Sequence, residues 1–136
     1  MTRPFTILVV DDSPRIREMF VDWFSTAKKM KIVDIEIMEA INGVDALEKI
    51  AVKMPNLVIT DIMMPLMNGY QLIEKLRMLY EKLPIIIITG IDGDVPQKEL
   101  TEMGERYRID WIFRKPLSMT SVFTKIKSLL AMPAIR

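Results

Sequence analysis

Along the chain, short apolar runs alternate with segments in which apolar residues recur at helical spacing, and the alternation repeats five times. Phe5-Thr6-Ile7-Leu8-Val9-Val10 is rich in β-branched residues and predicts a buried strand. Ser13 suits a helix N-cap and Pro14 a first helical position. Ile16, Met19, Phe20, Trp23, Phe24 and Ala27 then form an apolar stripe. Ile32 to Ala40 predicts a second strand. Asn42-Gly43 opens a second helix carrying Val44, Leu47, Ile50 and Ala51, which Met54-Pro55-Asn56 ends. Leu57 to Thr60 predicts a third strand, with Asp61 at its carboxyl end and turn chemistry from Met64 to Gly69. A third helix carries Leu72, Ile73, Leu76, Leu79 and Tyr80. After Pro84, Ile85 to Thr89 is apolar at nearly every position, the mark of a strand covered on both faces.

Gly90 to Gly93 reads as a loop. The fourth helix, roughly Val95 to Glu105, has only Leu100 and Met103 as apolar anchors and is expected to pack least firmly. Ile109 to Phe113 predicts a fifth strand, ended by Lys115-Pro116. Ser118 caps a last helix carrying Met119, Val122, Phe123, Ile126, Leu129 and Leu130, and Ala131 to Arg136 reads as a frayed end.

Five strand–helix pairs with right-handed crossovers imply an α/β fold, a doubly wound parallel sheet with helices on both faces. One domain is expected over residues 1–136, with its core at about 5–130. All strand carboxyl ends then share one rim, where sites form in open sheets. That rim collects Asp11, Asp12, Asp61, Thr89 and Lys115.

Composition narrows the chemistry available there. The 136 residues carry a formal net charge of +1, so bulk charge calls for neither nucleic acid nor an anionic membrane, although a local basic patch stays open. No cysteine and no histidine are present, which removes thiolate and imidazole ligands and the usual general base. A metal site must be built from oxygen, which favours a hard ion such as Mg²⁺. The N-terminus lacks a signal-peptide apolar region, and no apolar run is long enough to span a bilayer, so a cytoplasmic domain is expected.

Three carboxylates on one rim repel, and such clusters are usually held by a cation. An aspartate beside Mg²⁺ can attack phosphorus, with Lys115 supplying a point charge and Thr89 a hydroxyl donor. Singly, each residue has a plainer reading. Asp11 and Asp12 suit a helix N-terminus, Asp61 a turn, Thr89 a buried strand and Lys115 a solvated surface. The methionines Met54, Met63, Met64 and Met67 read as core filler. Only the joint arrangement favours phosphoryl chemistry.

The segments Ile7 to Pro14, Asp61 to Gly69, Ile88-Thr89-Gly90 and Lys115-Pro116, in this order and spacing, resemble a response-regulator receiver domain of two-component signalling. The likeness covers about Phe5 to Leu130 and implies a stand-alone receiver with no room for an output domain. It implies the flavodoxin-like strand order 2-1-3-4-5 and a cis Lys115–Pro116 bond. It also implies roles: Asp61 as phosphoacceptor, Asp12 binding Mg²⁺ directly and Asp11 through water, and the main-chain carbonyl of Met63 as a further ligand. Thr89 would move to the phosphoryl group and Lys115 would pair with it. A sensor histidine kinase or phosphotransfer protein would be the donor, docking on the first helix. The loop Gly90 to Asp94 with the fourth helix would switch. The surface of the fourth helix, fifth strand and fifth helix would act on a downstream effector protein. No direct contact with nucleic acid or membrane is implied, and the chain would be a monomer or weak dimer. It would be no enzyme beyond its own phosphorylation and dephosphorylation.

The chain departs from the family at Ile112, three before Lys115, where an aromatic switch residue is common; Trp111 and Phe113 flank it. Met63 and Ile91, which flank the hydrolytic water in the family, are apolar here, so slow self-dephosphorylation is expected. Three alternatives compete. A phosphorylation-independent adaptor would not need the intact acidic set. A Mg²⁺-dependent phosphatase usually has a second aspartate where Met63 stands. A flavodoxin would need amides and hydroxyls where Asp11 and Asp12 would repel its phosphate.

Overall fold

The computed structural model describes residues 4–90 and 95–131. Five strands alternate with five helices: β1 (Phe5–Val10), α1 (Pro14–Lys29), β2 (Ile35–Ala40), α2 (Gly43–Val52), β3 (Leu57–Asp61), α3 (Gly69–Leu79), β4 (Ile85–Thr89), α4 (Gln97–Tyr107), β5 (Trp111–Arg114) and α5 (Met119–Leu129). The strands form one parallel sheet in the order β2-β1-β3-β4-β5, the order the resemblance implied. Among the described residues, no helix is long and apolar enough to cross a membrane.

Period-two alternation along the strands builds two cores. Ile7, Val9, Leu57, Ile59, Ile86 and Ile88 point to one face and pack with Phe20, Phe24 and Ala27 of α1 and Val122, Phe123 and Ile126 of α5. Leu8, Val10, Val58, Ile85 and Ile87 point to the other and pack with α2, α3 and α4. The central strands are therefore apolar at consecutive positions, because both faces are covered.

Two strands begin later than their apolar runs. The β2 ladder starts at Ile35, not Ile32. The Ile32 N–H instead donates to Ala27 O at 2.9 Å and closes α1, with Lys31 left-handed at φ 59°. Likewise β5 starts at Trp111, and the Ile109 N–H donates to Gly104 O at 2.9 Å behind Arg108 at φ 54°. In both places an apolar residue just past a helix end serves the helix closure.

Helix faces differ in detail too. On α2 the buried residues are Gly43, Ala46 and Ile50, while Val44 and Ala51 face outward. Leu79, at the last turn of α3, is exposed. Of the four methionines expected in the core, Met64 is buried and Met67 half-buried, but Met54 and Met63 are exposed. The expectation for α4 agrees with its having two buried residues, Leu100 and Met103, against three or more on every other helix.

Candidate functional site

The rim is assembled by strand endings. β1 ends at Val10, so Asp11 and Asp12 follow it at the sheet edge. Val10 pairs with Thr60, which sets Asp61 one residue further out, and Asp61 pairs in turn with Ile88. Thr89 pairs with Arg114, so Lys115 leaves β5 beside it, and the Lys115 N–H donates to Thr89 O at 2.8 Å.

Carboxylate oxygens of Asp11, Asp12 and Asp61 lie within 4.8 Å of one another. Asp11 and Asp61 are buried and Asp12 is exposed. Lys115 Nζ donates to Asp11 Oδ2 at 3.1 Å and to Asp61 Oδ2 at 3.3 Å. Burial pushes the Asp11 carboxyl above its ordinary range, and the Asp61 charge adds to this; the bond from the Ser13 N–H and the Lys115 charge only partly offset them. Burial alone would lower Lys115, but Asp11 and Asp61 together outweigh it and raise its ammonium above the usual value. Asp11 and Asp61 thus share one ammonium, and with Asp12 they offer only oxygen donors to any further cation. That donor set and spacing fit a hard divalent ion such as Mg²⁺.

The surrounding backbone holds this geometry. The Asp61 Oδ1 accepts from the Ile62 N–H at 2.7 Å, and Thr60 Oγ1 donates to Asp61 O at 2.8 Å. Gly69 N–H donates to Ile62 O at 2.8 Å, and a Cβ at Gly69 would collide with the Asp61 carbonyl, so only glycine lets α3 start this close. Asn68 and Gln71 cap α3 reciprocally.

Of the residues expected at the rim, Asp11, Asp12, Asp61 and Lys115 converge. Thr89 is buried at the end of β4 and touches the set through its main chain. Met63 lies two residues past Asp61 with its side chain turned to solvent. Ile91 and the rest of 91–94 fall outside the described residues, as does the switch loop expected there. The Lys115–Pro116 peptide bond is cis. Ser13 occupies the N-cap of α1 as expected, but its side chain makes no capping bond; the Asp11 carboxylate accepts the Ser13 N–H instead, at 2.9 Å. The sequence reading missed Arg17, whose Nη1 donates to Asp11 O at 2.7 Å while Nε pairs with Glu39 at 3.2 Å. Its position one turn into α1 carries no signal, because the partner on β2 is remote in sequence.

The family model described as "Response regulator receiver domain" matches residues 7–127. The chain belongs to the response-regulator receiver family. This receiver is 33% identical over 135 residues to Response regulator Rre1 of Synechocystis sp., covering 96% of this chain and 54% of that protein. It is 32% identical to Protein PilG of Pseudomonas aeruginosa, covering 90% of this chain and 84% of that one. The receiver thus spans about half the length of the first relative and most of the second. A putative response regulator from Chloroflexus aurantiacus has the same fold, with a TM-score of 0.77, 27% identity and coverage of 95% of this chain and 99% of that one. Receivers of this family are phosphorylated on an aspartate in two-component signalling.

Proposed function

We propose that this receiver accepts a phosphoryl group on Asp61 and signals through a changed protein surface. One observation carries the reading: a single ammonium, Lys115, bridges two buried carboxylates at the sheet edge, with Asp12 beside them. In the reaction, an Asp61 oxygen bonds to phosphorus while the bond from phosphorus to a donor histidine nitrogen breaks and the imidazole leaves with that electron pair. Lys115 is already placed to follow the new negative charge. Asp11, Asp12, Asp61 and the main-chain carbonyl of Met63 would hold Mg²⁺, which supplies charge neutralisation at the phosphoryl oxygens. Thr89 would donate its hydroxyl to the phosphoryl group.

A sensor histidine kinase or phosphotransfer protein is the donor, and the receiver catalyses nothing beyond its own phosphorylation and dephosphorylation. The output surface is α4, β5 and α5, acting on a downstream protein. Exposed Trp111, with Lys125 Nζ 3.7 Å from its ring centroid, lies on that surface.

The test is intact mass after incubation with Mg²⁺ and acetyl phosphate. A phosphoryl-sized gain in the native chain and none in Asp61→Asn is expected, with the label lost slowly because the Met63 side chain orients no water. An equal gain in both proteins rejects Asp61 as acceptor. No gain in either shifts weight to a phosphorylation-independent adaptor.

A further inference from the structure

The hydrogen-bond donors at the rim serve two of its three acids. Asp11 accepts from the Ser13 N–H and from Lys115, and Asp61 from the Ile62 N–H and from Lys115. Asp12 is exposed, and no donor among the described residues holds its carboxylate. Its main chain alone therefore decides where its oxygens lie. On the amino side that main chain is the Asp11–Asp12 peptide, which comes after the last β1–β2 pair, Val10 with Ala40. The Asp11 N–H still donates to Ala40 O at 3.1 Å, but no main-chain N–H among the described residues reaches the Asp11 carbonyl.

Arg17 takes that carbonyl. Its Nη1 donates to Asp11 O at 2.7 Å, and its Nε pairs with Glu39 Oε1 at 3.2 Å. The two contacts pin the planar guanidinium at two points, so the carbonyl is fixed in direction as well as in distance. Glu39 belongs to β2, and its own carbonyl accepts from Lys49 of α2. The Asp11–Asp12 peptide is thus braced against β2 and α2. Packing of α1 does not call for this arrangement. The Arg17 side chain is only 14% exposed, against 43% for Glu39, so a charge is taken largely out of water. An apolar side chain of similar length would fill the same place with less desolvation.

We propose that Arg17 is a positioning residue for the ion site: by holding the Asp11–Asp12 peptide, it keeps the Asp12 carboxylate beside those of Asp11 and Asp61. The inference rests on the rim binding Mg²⁺. That ion demands near-octahedral ligand geometry, whereas Ca²⁺ accepts a looser set of oxygens. A displaced Asp12 therefore weakens Mg²⁺ binding more than Ca²⁺ binding. Electrostatics alone has the opposite sign. The guanidinium is a cation beside a cation site, so its removal, judged by charge only, tightens the binding of both ions.

The experiment titrates magnesium chloride and, separately, calcium chloride into the native chain, Arg17→Met and Arg17→Lys by calorimetry. Urea midpoints measured with chelator establish that each variant is folded. Arg17→Met is expected to bind Mg²⁺ about tenfold more weakly than the native chain and Ca²⁺ within about threefold of it. Arg17→Lys keeps the charge but lacks the fork that serves two acceptors at once, so its Mg²⁺ affinity is expected to fall about threefold. Unchanged or tighter Mg²⁺ binding by Arg17→Met overturns the proposal. An equal loss for both ions also overturns it, because a general loosening of the fold would give that result. If Arg17→Met does not fold, Arg17→Lys decides, and native Mg²⁺ affinity in that variant overturns the proposal. A native chain that binds no Mg²⁺ refutes the ion site itself, and this inference with it, before any variant is compared.

Discussion

At the residue scale, the acidic rim is a compromise between function and stability. Asp11 and Asp61 are buried carboxylates within reach of each other, and Lys115 is shared between them. Burial of like charges costs free energy that one ammonium only partly offsets. Asp11→Asn keeps an oxygen for the Ser13 N–H and removes a charge, leaving Lys115 to Asp61. It should raise stability to urea by about 1 kcal/mol in the absence of divalent ions. The variant should also lose most of its stabilisation by Mg²⁺. Equal Mg²⁺-induced shifts in both proteins would mean that Asp11 takes no part in holding the ion.

Tyr70 provides the second test at this scale. It stands at the start of α3 and packs against the core shared with α4, and its hydroxyl is buried with no hydrogen-bond partner among the described residues. Burial, and then the nearby Glu99 carboxylate on α4, which closes no hydrogen bond with the hydroxyl, push its phenol from 10.0 up to about 12. The raised folded value contributes stability that is fully present below pH 10.0 and is lost as pH rises towards about 12, because the unfolded chain gives up this proton first. Tyr70→Phe should therefore match or exceed native stability near neutrality, since an unpartnered buried hydroxyl is removed. Urea midpoints measured against pH should show the native chain losing ground to the variant between pH 10.0 and about 12. Parallel curves would refute this.

At the element scale, α4 is tied firmly at one end. The Arg77 guanidinium donates to Tyr107 O at 2.6 Å, Arg108 O at 3.1 Å, Leu83 O at 2.6 Å and Tyr80 O at 3.2 Å. One side chain thus joins the end of α3, the turn into β4 and the end of α4, using the planar fork that lysine lacks. The other end of α4 has Pro96 at its cap with no side-chain capping bond, and only Leu100 and Met103 are buried along its length. Arg77→Met should cost about 2–4 kcal/mol, because several half-buried carbonyls lose their donor, and Arg77→Lys should recover less than half of that. Chemical denaturation measures both. Full rescue by lysine would show that charge alone matters. Hydrogen exchange in the native chain should be faster in the first turn of α4 than in its last.

At the scale of the whole molecule, the parallel sheet brings residues more than a hundred positions apart into one bond, as between Asp11 and Lys115. Ligands that bind this rim bind only the folded chain, so Mg²⁺ at a hundredfold excess over its dissociation constant should stabilise it by about 2.7 kcal/mol. Calorimetry with and without chelator, on the native chain and Asp11→Asn, reads this together with the first prediction.

The sequence by itself determined the β–α alternation, the two-faced burial of β3 and β4, and the gathering of Asp11, Asp12, Asp61 and Lys115 on one rim. Apolar periodicity reports burial directly, and a parallel sheet places every strand's carboxyl end on the same side. Only the tertiary structure decided that Ile32 and Ile109 close helices rather than begin strands, because an apolar residue looks alike in both settings until its N–H finds a partner. It also decided that Ala46 is buried on α2 while Val44 faces outward, since the angle of a short helix depends on what it packs against. The same holds for Arg17, Arg77 and Tyr70: their surroundings come from elements remote in the chain, so no local pattern records them.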